Sequence, residues 1–418
     1  MRICVIGAGV VGVTTAWTLA NRGWQVTLVD SHSDPAQAAS YANGGQLSYS
    51  YVAPLAGPGV LPNVPKWLWS KRSPLRFHLR MDPQQWRWCA AFIASCRGSV
   101  ARYSTASLLD LAYLSRTSLQ HLLDETCLEF NHARNGKLIV YRSPQLLDKA
   151  TKLVEYQSTL GARQLVLSAA ETVRREPALR PIEHKLAGAI YTPSEESGDC
   201  RLFTHNLFAC IRSLPNVEVR MNTSIQALHG SRGAVTHATD SRGERIAADH
   251  FVVAAGLGSR GLLRPLGVNP LLYPLKGYSL DVETQAGVAP GISVTDYERR
   301  TVYATLGSSL RVAAMVGIGM NGGNVESDRI GLVKEQAAEL FPRLDFSKAR
   351  AWAGNRPATP HGRPIIGPAP RYDNLWMNIG HGALGFTLAC GSSHLLGAQM
   401  AGENLPIDAS PFLYGHAG

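Results

Sequence analysis

Residues 2–30 read RICVIGAGVVGVTTAWTLANRGWQVTLVD, and this stretch decides the fold. An apolar run, Ile3 to Ile6, enters Gly7-Ala8-Gly9-Val10-Val11-Gly12 and then Val13 to Asn21, rich in Ala, Thr and Leu. That order predicts strand, tight turn and helix. Gly7 permits the turn, Gly9 admits a pyrophosphate close to the backbone, and Gly12 lets the helix lie against the strand. Phosphates would sit at the helix N-terminus, where unpaired N–H groups and the helix dipole favour negative charge, with Val10 and Val11 in the first turn. Gly23 ends the helix, and Gln25 to Val29 is a second strand closing on Asp30, 18 positions beyond Gly12. A carboxylate there accepts the ribose hydroxyls of an adenosine and repels a 2′-phosphate, which argues against NADP. An Asp at a strand end also serves as a plain turn cap.

A chain of 418 residues exceeds what one hydrophobic core usually supports, so two domains are expected. Hydrophobic residues make up 45% and charged residues 17%, the balance of a folded globular protein. No apolar stretch reaches bilayer-spanning length, and the first strand begins at residue 2, which predicts a cytoplasmic protein without a signal peptide. The formal charge of +10 is not gathered into a block of the kind nucleic acid recognises. Seven cysteines (Cys4, Cys89, Cys96, Cys127, Cys200, Cys210, Cys390) form no C-x-x-C pair and no ligand spacing with histidine, so neither a disulfide framework nor a metal site is expected.

After Asp30, the run Ser40-Tyr41-Ala42-Asn43-Gly44-Gly45-Gln46 is too glycine-rich for a helix and too polar for a core strand. It reads either as a surface loop or as one lying along a bound cofactor. Residues 66–88 interleave Trp67, Trp69, Trp86 and Trp88 with Lys66, Lys71, Arg72, Arg76, Arg80 and Arg87. Such a segment docks on an anionic membrane surface, or packs its rings inside while the charges reach water. Helices are expected over 99–124, 145–160, 202–212 and 330–340, and strands over 136–141, 187–191, 217–221 and 251–254. The last of these breaks on Ala255 and Gly256, where backbone can lie beside a ligand. Residues 271–318 read as strands and turns.

Two clusters close the chain. The first holds Trp352-Ala353-Gly354-Asn355-Arg356-Pro357-Ala358-Thr359-Pro360-His361-Gly362. An arginine on such a Gly- and Pro-rich turn suits bidentate capture of a carboxylate, although a salt bridge is the commoner fate of a turn arginine. The second, Asn378-Ile379-Gly380-His381-Gly382-Ala383-Leu384-Gly385-Phe386-Thr387, opens a small-residue helix through Leu396 and delivers backbone N–H groups suited to an electron-rich ring oxygen. His381 alone would pass for a loop histidine with one backbone bond.

Taken together, these motifs resemble the FAD-dependent amino-acid oxidoreductases of the D-amino-acid oxidase and glycine oxidase group, and within it the small subunits of bacterial D-amino-acid dehydrogenases. The resemblance runs end to end: the opening Gly-Ala-Gly-Val-Val-Gly; Ala42 to Gln46; Ala53-Pro54; Gly198-Asp199-Cys200 with Phe203-Thr204; Tyr273 to Leu280; Arg356-Pro357 with Thr359-Pro360; and Gly380-His381-Gly382 with Gly385. It implies an α/β protein with a Rossmann-like FAD-binding domain of the glutathione-reductase type (residues 1–55, 196–265 and 350–418). A discontinuous substrate-binding domain, a mostly antiparallel sheet plus helices, would comprise residues 56–195 and 266–349.

The resemblance further implies noncovalent FAD, with adenosine on Gly7, Gly9, Val10, Val11, Gly12 and Asp30 and with Ile225 touching adenine. Ser40, Asn43, Gly44, Gly45, Gln46, Ala255, Gly256, Gly380, His381, Gly382, Leu384, Gly385 and Thr387 would line the rest of the cofactor. Arg356 would hold the substrate carboxylate, Tyr278 would face the flavin, and His381 would complete the catalytic set. The implied reaction is oxidative deamination of a D-amino acid by hydride transfer from Cα to flavin N5, giving a 2-oxo acid and ammonia. A quinone or respiratory carrier would take the electrons at the inner face of the membrane, although an oxidase using oxygen would share every motif. Asn355, His361 and Tyr41 depart from the family's pattern. A polar group beside Arg356 would favour a cyclic or hydroxylated substrate such as D-proline or 4-hydroxy-D-proline. A flavoprotein that only carries electrons is the rival of another class.

Overall fold

In the computed structural model, residues 1–52, 54–63, 72–158, 163–285, 287–320 and 322–416 are described. Two sheets organise them. The first has six strands in the order Ile365–Pro368, Leu375–Ile379, His250–Val253, Arg2–Ile6, Gln25–Val29 and Val217–Arg220, all parallel to their neighbours except the Ile365–Pro368 edge. Alternation along Arg2–Ile6 decides what covers it. Ile3 and Val5 meet the helices Val10–Asn21, Gly98–Thr126, Cys200–Arg212 and Gly385–Ala401, while Cys4 and Ile6 meet Leu228, Val235 and Ala238 of a three-stranded antiparallel sheet. Small residues let the buried Gly385–Ala401 helix cross closely: a β-carbon on Gly391 would lie 2.7 Å from the Leu111 carbonyl oxygen.

The second sheet runs Arg350–Ala358, Tyr273–Glu283, Ser309–Ile318, Thr301–Leu306, Ser293–Asp296, Lys137–Tyr141, Gly188–Thr192 and Leu165–Ser168, with Leu75–Phe77 paired to Ser309–Ile318. Most pairs are antiparallel; Ser293–Asp296 with Lys137–Tyr141 and Leu75–Phe77 with its neighbour are parallel. Helix Ser327–Leu340 covers one face through Leu280, Val312, Val333 and Ala337. The other face meets the loops of the first sheet.

Three expectations need correction. Residues 350–358 are not part of the nucleotide half but form an edge strand of the second sheet, and Arg356 therefore sits on a strand instead of a turn. Pro357 is tolerated in this sheet because its strand lies at the edge. Within 66–88, the residues Lys66, Trp67, Trp69 and Lys71 lie outside the described residues, as do Ala53 of the Ala53-Pro54 motif and the expected helix end at Leu160-Gly161. Trp88 is no surface ring. It lies on an unanticipated helix, Pro83–Ser95, started by Asp82 accepting from the Gln84 N–H with Pro83 in the first turn, and it is buried with its indole N–H donating to the Ala358 carbonyl.

Candidate active site

The opening turn is built by close backbone approach. Gly7 has φ +116°, and a β-carbon there would stand 2.6 Å from the Ala254 carbonyl oxygen and 3.0 Å from the Ala255 α-carbon. A β-carbon on Gly12 would stand 1.7 Å from the Gly7 carbonyl oxygen. Ser40 Oγ accepts from the Val10 N–H at 3.1 Å, while the Val11 and Gly12 N–H groups of the first turn find no acceptor among the described residues. Asp30 receives the Ala8 N–H at 2.6 Å on one carboxylate oxygen and the His32 N–H at 2.9 Å on the other, so it also staples the turn to the second strand. The Asp30 carbonyl accepts from Thr223 N–H at 2.8 Å, which brings Ile225 to the same end of the sheet. Free helix-terminal amides over a glycine floor fit the pyrophosphate of FAD.

The two loops expected along the cofactor converge. Thr387 Oγ1 lies 3.4 Å from the Gln46 carbonyl and accepts from Ser48 N–H at 3.3 Å. Asn43 Oδ1 accepts from Gly45 N–H, and the Asn43 carbonyl accepts from Arg311 at 2.7 Å, which ties the loop to the second sheet. Gly44 lies on that sheet too, where a β-carbon would be 3.2 Å from Ala313 Cβ. Gly45, Gly256, Gly380 and Gly382 all adopt positive φ. Leu384 and Gly385 start the Gly385–Ala401 helix with no side-chain cap on its first amides. A short antiparallel bridge from His381 to Ala358 places this loop two residues from Arg356.

Arg356 is the centre of the second sheet's contribution. The register sets it opposite Leu275, with Gly277 opposite Gly354 and Ser279 opposite Trp352, all on the face that meets the Gly44 loop. A β-carbon on Gly277 would stand 2.2 Å from Arg356 Nη2, so the guanidinium lies where any other residue's side chain would be. Among the described residues its hydrogen bond runs to the Met315 carbonyl at 3.3 Å, and desolvation lowers its pKa. Met315 has φ +66° and sits in a bulge of its strand, where Lys276 pairs with Gly317 but Tyr278 with Ala314. That bulge aims the carbonyl. No described carboxylate pairs with Arg356, and a half-buried cation without a counter-ion among the described residues is the environment for an anionic ligand.

Several proposed neighbours face elsewhere. Tyr278 alternates with Gly277 and so points to the opposite side of the sheet, buried against Ile330 and Val333, where burial and the nearby Glu326 carboxylate raise its pKa. It does not share the Arg356 face. Asn355 is turned the same way, opposite Lys276, with a buried Oδ1 that finds no partner. The argument for a hydroxylated or cyclic substrate that rested on Asn355 therefore loses its basis. His361 sits in the turn after the strand, its Nδ1 accepting from Arg363 N–H at 3.2 Å. Tyr41 does lie on the Arg356 side, its ring stacked on Trp352 with centroids 6.1 Å apart. Trp352 was the residue missed; its spacing in Trp352-x-Gly354-x-Arg356 was the available signal, because period two puts all three on one face of a strand.

His381 is buried, and its Nε2 lies 3.0 Å from Ser392 Oγ, which itself donates to the Leu388 carbonyl. The hydroxyl therefore accepts from Nε2–H. Burial pushes the His381 pKa down to about 3. The imidazole is neutral at every physiological pH and supplies shape and a hydrogen bond. Its ordinary value is 6.5, so below that pH the unfolded chain binds a proton that the folded chain refuses. Stability is fully present above pH 6.5 and declines as pH falls toward 3, by up to about 1.4 kcal/mol per pH unit from this group. Urea melts at pH 7 and pH 5 should show a smaller pH dependence in His381→Gln than in the parent.

Comparison with known proteins identifies the chain's relatives. The family model described as FAD dependent oxidoreductase matches residues 2–399. The chain is 46% identical to D-amino acid dehydrogenase 2 of Ralstonia nicotianae, covering 99% of each, and 44% identical to D-amino acid dehydrogenase 2 of Pseudomonas aeruginosa, covering 99% of this chain and 98% of that one. Among solved structures, glycine oxidase from Geobacillus kaustophilus superposes with a TM-score of 0.78 at 20% identity, covering 99% and 98% of the two chains. L-proline dehydrogenase from P. horikoshii gives 0.74 at 14%, covering 97% and 94%. These likenesses extend to the whole fold, cofactor half and substrate sheet together, and the chain belongs to the family of FAD-dependent oxidoreductases.

Proposed function

We propose that this protein oxidises D-amino acids to 2-oxo acids and ammonia. The observation that carries the reading is Arg356: a half-buried guanidinium on bare backbone, without a counter-ion among the described residues, beside the convergence of the Gly44–Gln46 and Gly380–Thr387 loops. A protein that only carries electrons has no use for it. FAD, held by the Gly7–Gly12 turn, Asp30 and the Gly44–Gln46 and Gly380–Thr387 loops, would supply the acceptor for the Cα hydrogen of the neutral amine. Arg356 fixes the carboxylate and with it the direction of the Cα–H bond, and burial of the site strengthens that contact while excluding water. Loss of the amine proton gives an imine, and water then releases ammonia and the 2-oxo acid. The D preference is taken from the names of the relatives.

Electrons would then pass to a quinone or another respiratory acceptor. A surface patch supports docking at a membrane: Leu79, Met81 and Trp86 are 71%, 91% and 50% exposed, next to the exposed Arg87. Among the described residues no helix is long and apolar enough to cross a bilayer. The first test is anaerobic: the purified flavoprotein is mixed with D- and L-amino acids and its flavin band followed. Rapid bleaching by D-isomers alone is the expected result. A flavin that no amino acid reduces would end this reading in favour of an electron carrier.

A further inference from the structure

We propose that Trp352 selects the substrate's side chain and tunes the site to uncharged apolar groups, branched or ring-closed ones above all. This rests on the carboxylate-binding reading of Arg356. Gly277 and Gly354 stand directly opposite each other on neighbouring strands, and together they leave a patch of bare backbone. The Arg356 guanidinium occupies the space above one glycine. The benzo edge of the Trp352 indole occupies the space above the other, where a β-carbon on Gly354 would stand 2.0 Å from Cη2 and 2.4 Å from Cζ2. Opposed β-carbons are about 5 Å apart, so the cation and the apolar ring edge are immediate neighbours.

A substrate whose carboxylate rests on the guanidinium has its Cα one bond further out, and its side chain must leave in one of two directions along the sheet. On the Leu275 side the way is closed. Leu275 and Ile318, paired across strands, are buried with Trp88 and Tyr273 in one cluster. On the other side lies Trp352, only partly covered. The indole is held in place: Tyr41 stacks on it, and the Arg201 guanidinium lies 4.1 Å from the Tyr41 ring centroid. Arg201 and Arg356 make this side hostile to a cationic side chain, and the indole edge itself offers apolar surface without a polar atom. Methylene-scale contacts with such a ring change discrimination about 10- to 200-fold.

The test uses the FAD-loaded protein and unreactive carboxylates that shift the flavin spectrum on binding. The parent should bind cyclopentanecarboxylate about 10- to 100-fold more tightly than acetate. Trp352→Ala should remove that ratio while leaving acetate affinity and FAD content unchanged, and Trp352→Phe should keep most of it. Under turnover, kcat/KM for branched D-amino acids should fall by the same factor in Trp352→Ala, with glycine unaffected. If acetate and cyclopentanecarboxylate weaken together, Trp352 only props the sheet and the proposal is overturned. An unchanged ratio overturns it as well. Should acetate fail to bind the parent, or bind Arg356→Ala equally well, the fault lies in the Arg356 reading beneath it.

Discussion

Arg356→Ala should purify yellow, with FAD at the parental stoichiometry, and should lose about 10²- to 10³-fold in kcat/KM toward D-amino acids. The size follows from the geometry. Removing one partner of a buried, hydrogen-bonded charge pair costs about 2–5 kcal/mol, and each 1.4 kcal/mol is a factor of ten. Both constants should suffer, because a substrate that has lost its clamp binds weakly and presents its Cα–H bond at random. Arg356→Lys should recover only part of the loss, since an ammonium is a point charge and cannot grip both carboxylate oxygens in plane. Gly277→Ala is the sharper companion. It keeps the charge but puts a methyl 2.2 Å from Nη2, forcing the guanidinium off the floor. A similar loss in that variant, measured with a dye acceptor beside flavin absorbance, ties activity to the position of the cation. Unaltered turnover in both would sink the site assignment.

A different kind of failure is expected from Gly12→Ala. The added methyl would stand 1.7 Å from the Gly7 carbonyl oxygen, and the obstruction is backbone, which no rotamer change can clear. Overpacking of a core ordinarily costs about 1–3 kcal/mol. Here the helix must also lift from the strand and take its free Val11 and Gly12 amides away from the pyrophosphate position. The variant should be isolated without FAD, and its thermal transition should drop further for want of the ligand's contribution. Gly261→Ala provides the control: a β-carbon there meets nothing within 4 Å in the helix Ser259–Leu263, and the change should be neutral or stabilising by up to about 1 kcal/mol. A yellow, stable Gly12→Ala protein would overturn the account of the turn.

The two clearest elements in the sequence are those whose chemistry is local. The strand, glycine turn and helix of residues 2–21 are specified by neighbours in the chain, and so are the Asn43–Gln46 and Gly380–Thr387 loops, where small residues announce close approach. What stayed hidden depends on register. Tyr278 and Gly277 differ by one position, and nothing in the sequence says which of them faces the cofactor until the pairing with Arg350–Ala358 is known. Asn355 and Arg356 pose the same problem. The density of Gly and Pro around Arg356 imitates a turn, although the glycines serve the side chains lying over them. Trp88 among arginines imitates an interface ring, while the Asp82-Pro83 helix start is what buries it.

The order of the six-stranded sheet bears on how the protein is made. The glycine turn is made some 240 residues before the strand that packs under Gly7, His250–Val253, and more than 370 before the Gly385–Ala401 helix at the centre of its helical core. At about 5–20 residues per second, synthesis keeps the opening segment waiting for roughly 20–80 s. During that interval the first strand and helix have no finished surface to bury themselves against. FAD capture therefore waits for the Gly385–Ala401 helix, and loss of that helix would leave a product that never acquires colour.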